Sequence, residues 1–225
     1  LRRKRDSSRR GVSLPELLVV AGIASLVGTV VVALCHPMLS ASQAEHVALI
    51  EIQTMDSTLY RLQRDVRQSD PNGVFVCTGA GASLSCSQAS SLTTLTDVSV
   101  LALLTARPNG TGSATWDPSG RPAWVGFSVY WMTPDTVGTN TMMNGFGSAN
   151  IASGSNPTIL NSDVIAAVNQ AMTSADADTV ALGIEQLQSM VNVSTDRMAL
   201  RLVGQNQSGG STAELSVEGD AYVRN

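Results

Sequence analysis

The chain has 225 residues, of which 43% are apolar, 4% aromatic and 14% charged. That length supports one core of ordinary size, and the charge content is well under the roughly 25% of soluble domains. Six of the 14 basic side chains fall in residues 1–10, leaving 8 basic against 17 acidic residues, a balance of −9, in the remainder; a body so charged argues against a role in binding nucleic acid or anionic lipid.

Residues 1–11 are polar and basic (Arg2, Arg3, Lys4, Arg5, Arg9, Arg10) and end in Gly11. A basic arm can grip nucleic acid, but here it runs straight into an apolar segment, where it reads as a cytoplasmic topology signal. Residues 17–35 carry no charge. As a helix they reach about 28 Å, near the hydrocarbon thickness of a bilayer and longer than the apolar core of a usual signal peptide. Only His36 follows before Glu45, so the positive-inside rule leaves the N-terminus in the cytoplasm and sends the rest outward. Cys35, at the end of the run, reads as a small buried hydrophobe.

Pro37 either kinks or ends the helix. The pattern beyond it argues for a kink, because Ala48, Ile52, Met55, Leu59, Leu62 and Val66 form one apolar stripe at helical spacing. That stripe reads as a face packed on the domain that follows. Asp70-Pro71-Asn72-Gly73 is a strong stop. A helix over 14–68 would be on the order of 80 Å long, too long for one small domain to bury.

Beyond residue 73 the chain reads as strands and loops with one late helix. Val74-Phe75-Val76 opens a strand, and residues 123–131 alternate as another, with Pro134-Asp135 as its brake. Residues 136–162, rich in Gly, Asn, Thr and Ser, read as a long exposed loop. A short helix is expected over 163–172, capped by Ser162. Residues 179–193 fit strand or helix. Two antiparallel strands are expected at 197–203 and 213–217, joined by a loop over 204–212.

Cys77 and Cys86 bracket a short Gly/Ser-rich stretch. This fits a local disulfide in an oxidising compartment, with two free thiols as the alternative. No cofactor or metal site is expected, since the two histidines, His36 and His46, stand apart from these cysteines. Nucleophilic catalysis would have to recruit one of those histidines from the anchor helix, so no catalytic residue is assigned. Asp176 and Asp178 could bind calcium weakly, but a solvated turn is the more economical reading.

The most informative stretch is Arg9-Arg10-Gly11-Val12-Ser13-Leu14-Pro15-Glu16-Leu17-Leu18. A lone carboxylate, Glu16, stands at the mouth of the apolar segment, where leaving it buried and unpaired is costly. It is either an interfacial side chain facing water or a charge with a dedicated partner. A cut after Gly11 would make Glu16 the fifth residue and place the new α-amine of Val12 one helical turn away. This arrangement resembles the class III leader of type IV prepilins. Val12 stands where Phe or Met is usual, and Pro15 where an aliphatic residue is usual. The resemblance implies cleavage between Gly11 and Val12 by the prepilin peptidase, methylation of the new N-terminus, and pairing of Glu16 with the Val12 amine of an adjacent subunit.

Residues 62–68, 180–188 and 222–225 are similar to segments of PilW-type minor pilins and J-type pseudopilins of type II secretion. The resemblance implies an α+β, pilin-like fold, in which a long N-terminal helix packs on a mostly antiparallel sheet. The expected organisation is a leader at 1–11, a transmembrane and assembly helix at 12–36, an amphipathic helix at 37–69 and a β-rich periplasmic or extracellular domain at 70–225. The implied role is that of a structural subunit in pilus assembly or priming, not an enzyme. A type II secretion pseudopilin, and a pilus-borne adhesin or DNA-uptake subunit, are the other readings. The implied partners are other pilin or pseudopilin subunits, the peptidase and the inner membrane, with no nucleic acid expected.

Overall fold

The computed structural model describes residues 13–79, 83–91, 94–108, 112–134, 140–149, 151, 157–192, 197–208 and 211–222. Helix α1 (Leu14–Gln68) runs through Pro37 as one assigned element, so the proline does not end it. The stop comes where expected. Pro71 has no N–H to extend the helix, and the Asp70 carboxylate accepts the Asn72 N–H at 2.9 Å, closing a 3₁₀ turn over Pro71–Gly73. The chain divides into two compact units at Val47/Ala48, so residues 48–68 of α1 belong with the domain that follows.

That domain has an α+β fold. Its strands are β1 (Val74–Thr78), β2 (Ser85–Gln88), β3 (Thr96–Asp97), β4 (Val100–Thr105), β5 (Gly126–Pro134), β6 (Asn140–Ser148), β7 (Asp178–Asn192), β8 (Arg197–Ser208) and β9 (Ser211–Tyr222). Helix α2 (Asn161–Thr173) lies between β6 and β7 in sequence. Among the described residues these strands form one sheet in the order β2-β1-β4-β5-β6-β7-β8-β9, with β3 also on β7. Among the described residues every strand pairing in it is antiparallel.

Two apolar layers sandwich part of the sheet. Met55, Leu59, Leu62 and Val66 of α1 share a core with Val74, Val76, Leu101, Leu103, Leu187, Leu200 and Leu202. On the opposite face Val164, Ala167, Val168 and Ala171 of α2 pack with Phe75, Ala102, Leu104, Phe127 and Val129. Successive residues of β1, β4 and β5 point to opposite faces, so a strand covered on both sides is apolar without alternation. That is why β4, with the sequence VLALLT, carries no period-two signature and escapes a search for alternation.

Four expectations need correction. The stretch 136–162 is not one long loop, because β6 occupies Asn140–Ser148 and pairs along β5. Its glycines are there for space: a Cβ on Gly147 would run into the backbone of Ala167, and one on Gly145 would crowd the Ala171 carbonyl and Trp131. Close approach of α2 therefore requires glycine at 147. Helix α2 starts before the expected cap, with Leu160 at the N-cap position and Ser162 inside the first turn. The expected loop over 204–212 is mostly hairpin, since β8 and β9 stay paired out to Ser208↔Ser211. Backbone pairing does not need apolar side chains, so polarity there misled. Cys35 is exposed rather than buried.

The ambiguity at 179–193 is resolved as strand. Ala181, Ile184 and Leu187 are buried at an interval of three, which imitates a helix. A bulge between Ile184 and Gln186 shifts the alternation, and Gly183 just before it sits at φ 74°, a conformation that favours glycine. Strand β7 pairs with β6 up to Ile184 and with β8 from Ile184 onward.

Candidate functional site on the apolar helix

The candidate site is built from the first turn of α1 and the apolar segment that follows. Gly11 and Val12 lie outside the described residues. The Ser13 carbonyl accepts the Leu17 N–H at 3.1 Å, which makes Ser13 the N-cap and places Leu14, Pro15 and Glu16 at the first three helical positions. Pro15 needs no N–H there, because the first-turn donors have no intrahelical acceptor. Glu16 occupies the position whose carboxylate suits the positive end of the helix dipole and can reach back to the N-cap backbone. The Ser-x-x-Glu spacing is a local role for Glu16 beyond the two weighed from the sequence, and it was visible there.

Glu16 is the only Asp, Glu, Lys or Arg from 11 to 44. The segment after it is exposed on every side: Leu17, Leu18, Val19 and Val20 point about 100° apart in turn, and all four are exposed. The same holds for Ile23, Leu26, Val27, Val30, Val31 and Leu34. A helix apolar all round belongs in an apolar surrounding, not against a single face. Each such side chain contributes on the order of 1.5–3 kcal/mol when removed from water. The helix is long and apolar enough to cross a membrane. Its hydroxyls are satisfied internally: Ser25 donates to the Gly22 carbonyl at 2.9 Å and Thr29 to the Leu26 carbonyl at 2.8 Å. No partner outside the helix is needed for either in hydrocarbon.

Cys77 and Cys86 sit directly opposite each other on β1 and β2, bonded with Cα atoms 4.0 Å apart. Both are buried and join the α2-side core. The bond therefore closes a hairpin inside the domain. His36 and His46 are exposed on α1, far in sequence from the cysteine pair. Asp176 is exposed in a turn, where its N–H donates to Ser174 Oγ, and Asp178 is exposed at the start of β7.

Sequence reasoning missed a polar cluster under the second half of α1. The Tyr130 hydroxyl donates to Asp65 Oδ2 at 2.6 Å, and Arg64 Nε donates to Asp65 Oδ1 at 3.0 Å. Arg61 Nη2 donates to Asn144 Oδ1 at 2.8 Å, and Asn144 Nδ2 donates to Ser128 Oγ and the Val129 carbonyl. Burial, reinforced by the Asp65 charge, pushes the Tyr130 pKa well above its ordinary value. Arg61 and Asp65, four apart on one helix, were the signal for this cluster. Their partners on β5 and β6 lie too far along the chain for spacing to reveal.

Comparison with protein-family models, with curated proteins and with solved structures gives no match to this chain.

Proposed function

We propose that this chain is a minor subunit of a type IV pilin-like filament, of the W/J type, and not an enzyme. The observation that carries the reading is the single carboxylate of Glu16, five residues beyond Gly11, in the first turn of a helix whose next stretch, residues 17–35, is uncharged and exposed on all sides. In this reading residues 17–35 hold the subunit in the inner membrane, with the basic segment in the cytoplasm and the sheet domain in the periplasm. In the filament the same residues exchange lipid for the apolar helices of neighbours. Glu16 then neutralises the α-amine of Val12 on an adjacent subunit. In an apolar surrounding that attraction far exceeds its value in water, and either charge left alone is costly. The α+β architecture, with an antiparallel sheet packed on the second half of the helix, supports the reading.

Intact-mass analysis of protein made with the peptidase present tests it. The mature chain should begin at Val12 and carry one added methyl group, and Gly11→Val should block the cut while leaving membrane insertion intact. A mature chain that keeps the basic leader, or one cut near residue 35, overturns the reading. Glu16→Gln separates the proposed pairing from helix capping, since glutamine keeps the capping hydrogen bond and loses the charge. Crosslinking of Glu16→Gln to an adjacent subunit should fall sharply after normal cleavage. Crosslinking equal to wild type would leave Glu16 with capping alone.

A further inference from the structure

An open groove of about 620 Å³ lies at the end of α1, lined by Tyr60, Arg64, Arg67, Gln68 and Tyr222. Four of these residues come from the last turns of α1 and the fifth from the end of the edge strand β9. Tyr60 is 69% exposed and Tyr222 51%. The Arg197 guanidinium stacks over the Tyr222 ring, 4.5 Å from its centroid, which braces the ring and brings a third cation to that wall. Arg197 also faces Asp220 at 3.9 Å.

The charge at this place runs against the rest of the domain. Past residue 10 the chain has a balance of −9 and no lysine, only eight arginines. Arg64 uses Nε and Nη2 on Asp65, and Asp65 is engaged on its other oxygen by Tyr130. Among the described residues Nη1 of Arg64 and the whole Arg67 guanidinium have no carboxylate partner. A basic residue in the last turn is favourable in itself, because the carbonyl end of a helix carries partial negative charge. That accounts for Arg67 taken alone. It does not account for the two exposed aromatic rings that line the same groove, to which Arg64, although held by Asp65, adds a second guanidinium one turn earlier. Tyrosine and arginine are the residues that most often dominate binding surfaces, since each presents a large flat area together with hydrogen-bonding groups.

We propose that this groove docks an acidic segment of a partner protein, with carboxylates on Arg64 and Arg67 and apolar side chains against the rings of Tyr60 and Tyr222. The guanidiniums and the Gln68 amide supply donors, which calls for a ligand rich in acceptors. The rings select a peptide over a bare anion, because an inorganic ion gains nothing from an aromatic wall. The volume suits a ligand the size of a few residues. This proposal stands independently of the filament reading and survives its failure.

The test is fluorescence anisotropy on the full-length chain in uncharged detergent micelles. The probe is a labelled short peptide of alternating glutamate and leucine, with glutamine–leucine and lysine–leucine peptides as controls. The acidic peptide should bind saturably and the two controls should not. Raising NaCl from about 50 mM to about 500 mM should weaken binding. Arg67→Gln and Tyr60→Ala, both at exposed positions, should each weaken it about tenfold, with unchanged circular dichroism. Arg121→Gln, which removes an arginine elsewhere on the domain, should leave binding intact. Absence of saturable binding overturns the proposal, and so does equal affinity in Arg67→Gln. Loss with Arg67→Gln but not with Tyr60→Ala, together with displacement by inorganic phosphate, would mark a bare anion site and also overturn it. Arg67-dependent binding to phosphatidylglycerol vesicles that the acidic peptide cannot displace would overturn it in favour of a lipid surface.

Discussion

Leu26 and Leu62 are the same side chain on the same helix, yet Leu26 is 65% exposed and Leu62 fully buried. Around Leu26 the sequence is apolar in every direction, with no charge from residue 17 to 35. Around Leu62 the apolar residues keep to one stripe, and Arg61, Arg64, Asp65 and Arg67 take the other positions. A stripe can be satisfied by one sheet face of its own chain, as Met55, Leu59, Leu62 and Val66 are. A cylinder that is apolar all round needs cover from all sides. The two cysteine environments repeat the contrast: Cys35 is free and exposed on the helix, and Cys77–Cys86 is bonded inside the domain.

The largest expected effect on domain stability is at Leu62. Leu62→Ala should lower it by about 2–5 kcal/mol, from lost burial plus the cavity left behind. Urea unfolding of the full chain in micelles, followed by tryptophan fluorescence, reads this cleanly, because Trp116, Trp124 and Trp131 all lie in the sheet domain. Next comes the disulfide. Replacing Cys77 and Cys86 together by alanine should lower stability by about 2–3 kcal/mol, as expected for opening so short a loop. Non-reducing peptide mapping should recover these two joined and Cys35 as a free thiol; two free thiols at 77 and 86 would remove the idea.

Tyr130→Phe should cost about 1–3 kcal/mol, because it leaves the partly buried Asp65 without its hydroxyl donor. A tyrosine whose pKa is raised on folding contributes fully below its unfolded value, here 10.0, and that contribution is lost as the pH rises beyond it. Unfolding midpoints between about pH 8 and about pH 11 should therefore fall less steeply in the phenylalanine variant than in wild type. An identical slope in both would show that the hydroxyl is not held as the geometry indicates. The smallest effect belongs to the other end of the comparison. Leu26→Ala should change domain stability by no more than about 0.5 kcal/mol, and a loss there matching that at Leu62 would break the contrast drawn between the two regions.

Much of this was readable from local pattern. The long helix and its stop at Asp70-Pro71, the buried stripe, the facing cysteines and the apolar segment long enough for a membrane all follow from spacing over a few turns or from steric rules at proline. So does the place of Glu16 in the first turn, three residues after Ser13. What escaped was set by partners distant in sequence. Strand β4 has no alternation because α1 and α2 cover its two faces. The glycines of β6 resemble loop residues until α2 is seen against them. The bulge after Gly183 gives a strand the burial interval of a helix. Tyr130 meets Asp65 across 65 residues of chain and Asn144 meets Arg61 across 83, and Tyr222 reaches the helix end only once β9 has been laid on the sheet edge. Local pattern was enough to say which segments could be helix or anchor, because backbone sterics and side-chain periodicity act between near neighbours. Which strands are covered twice, where glycine makes room and which polar groups find each other emerge only in the folded chain, because burial depends on what distant segments bring alongside.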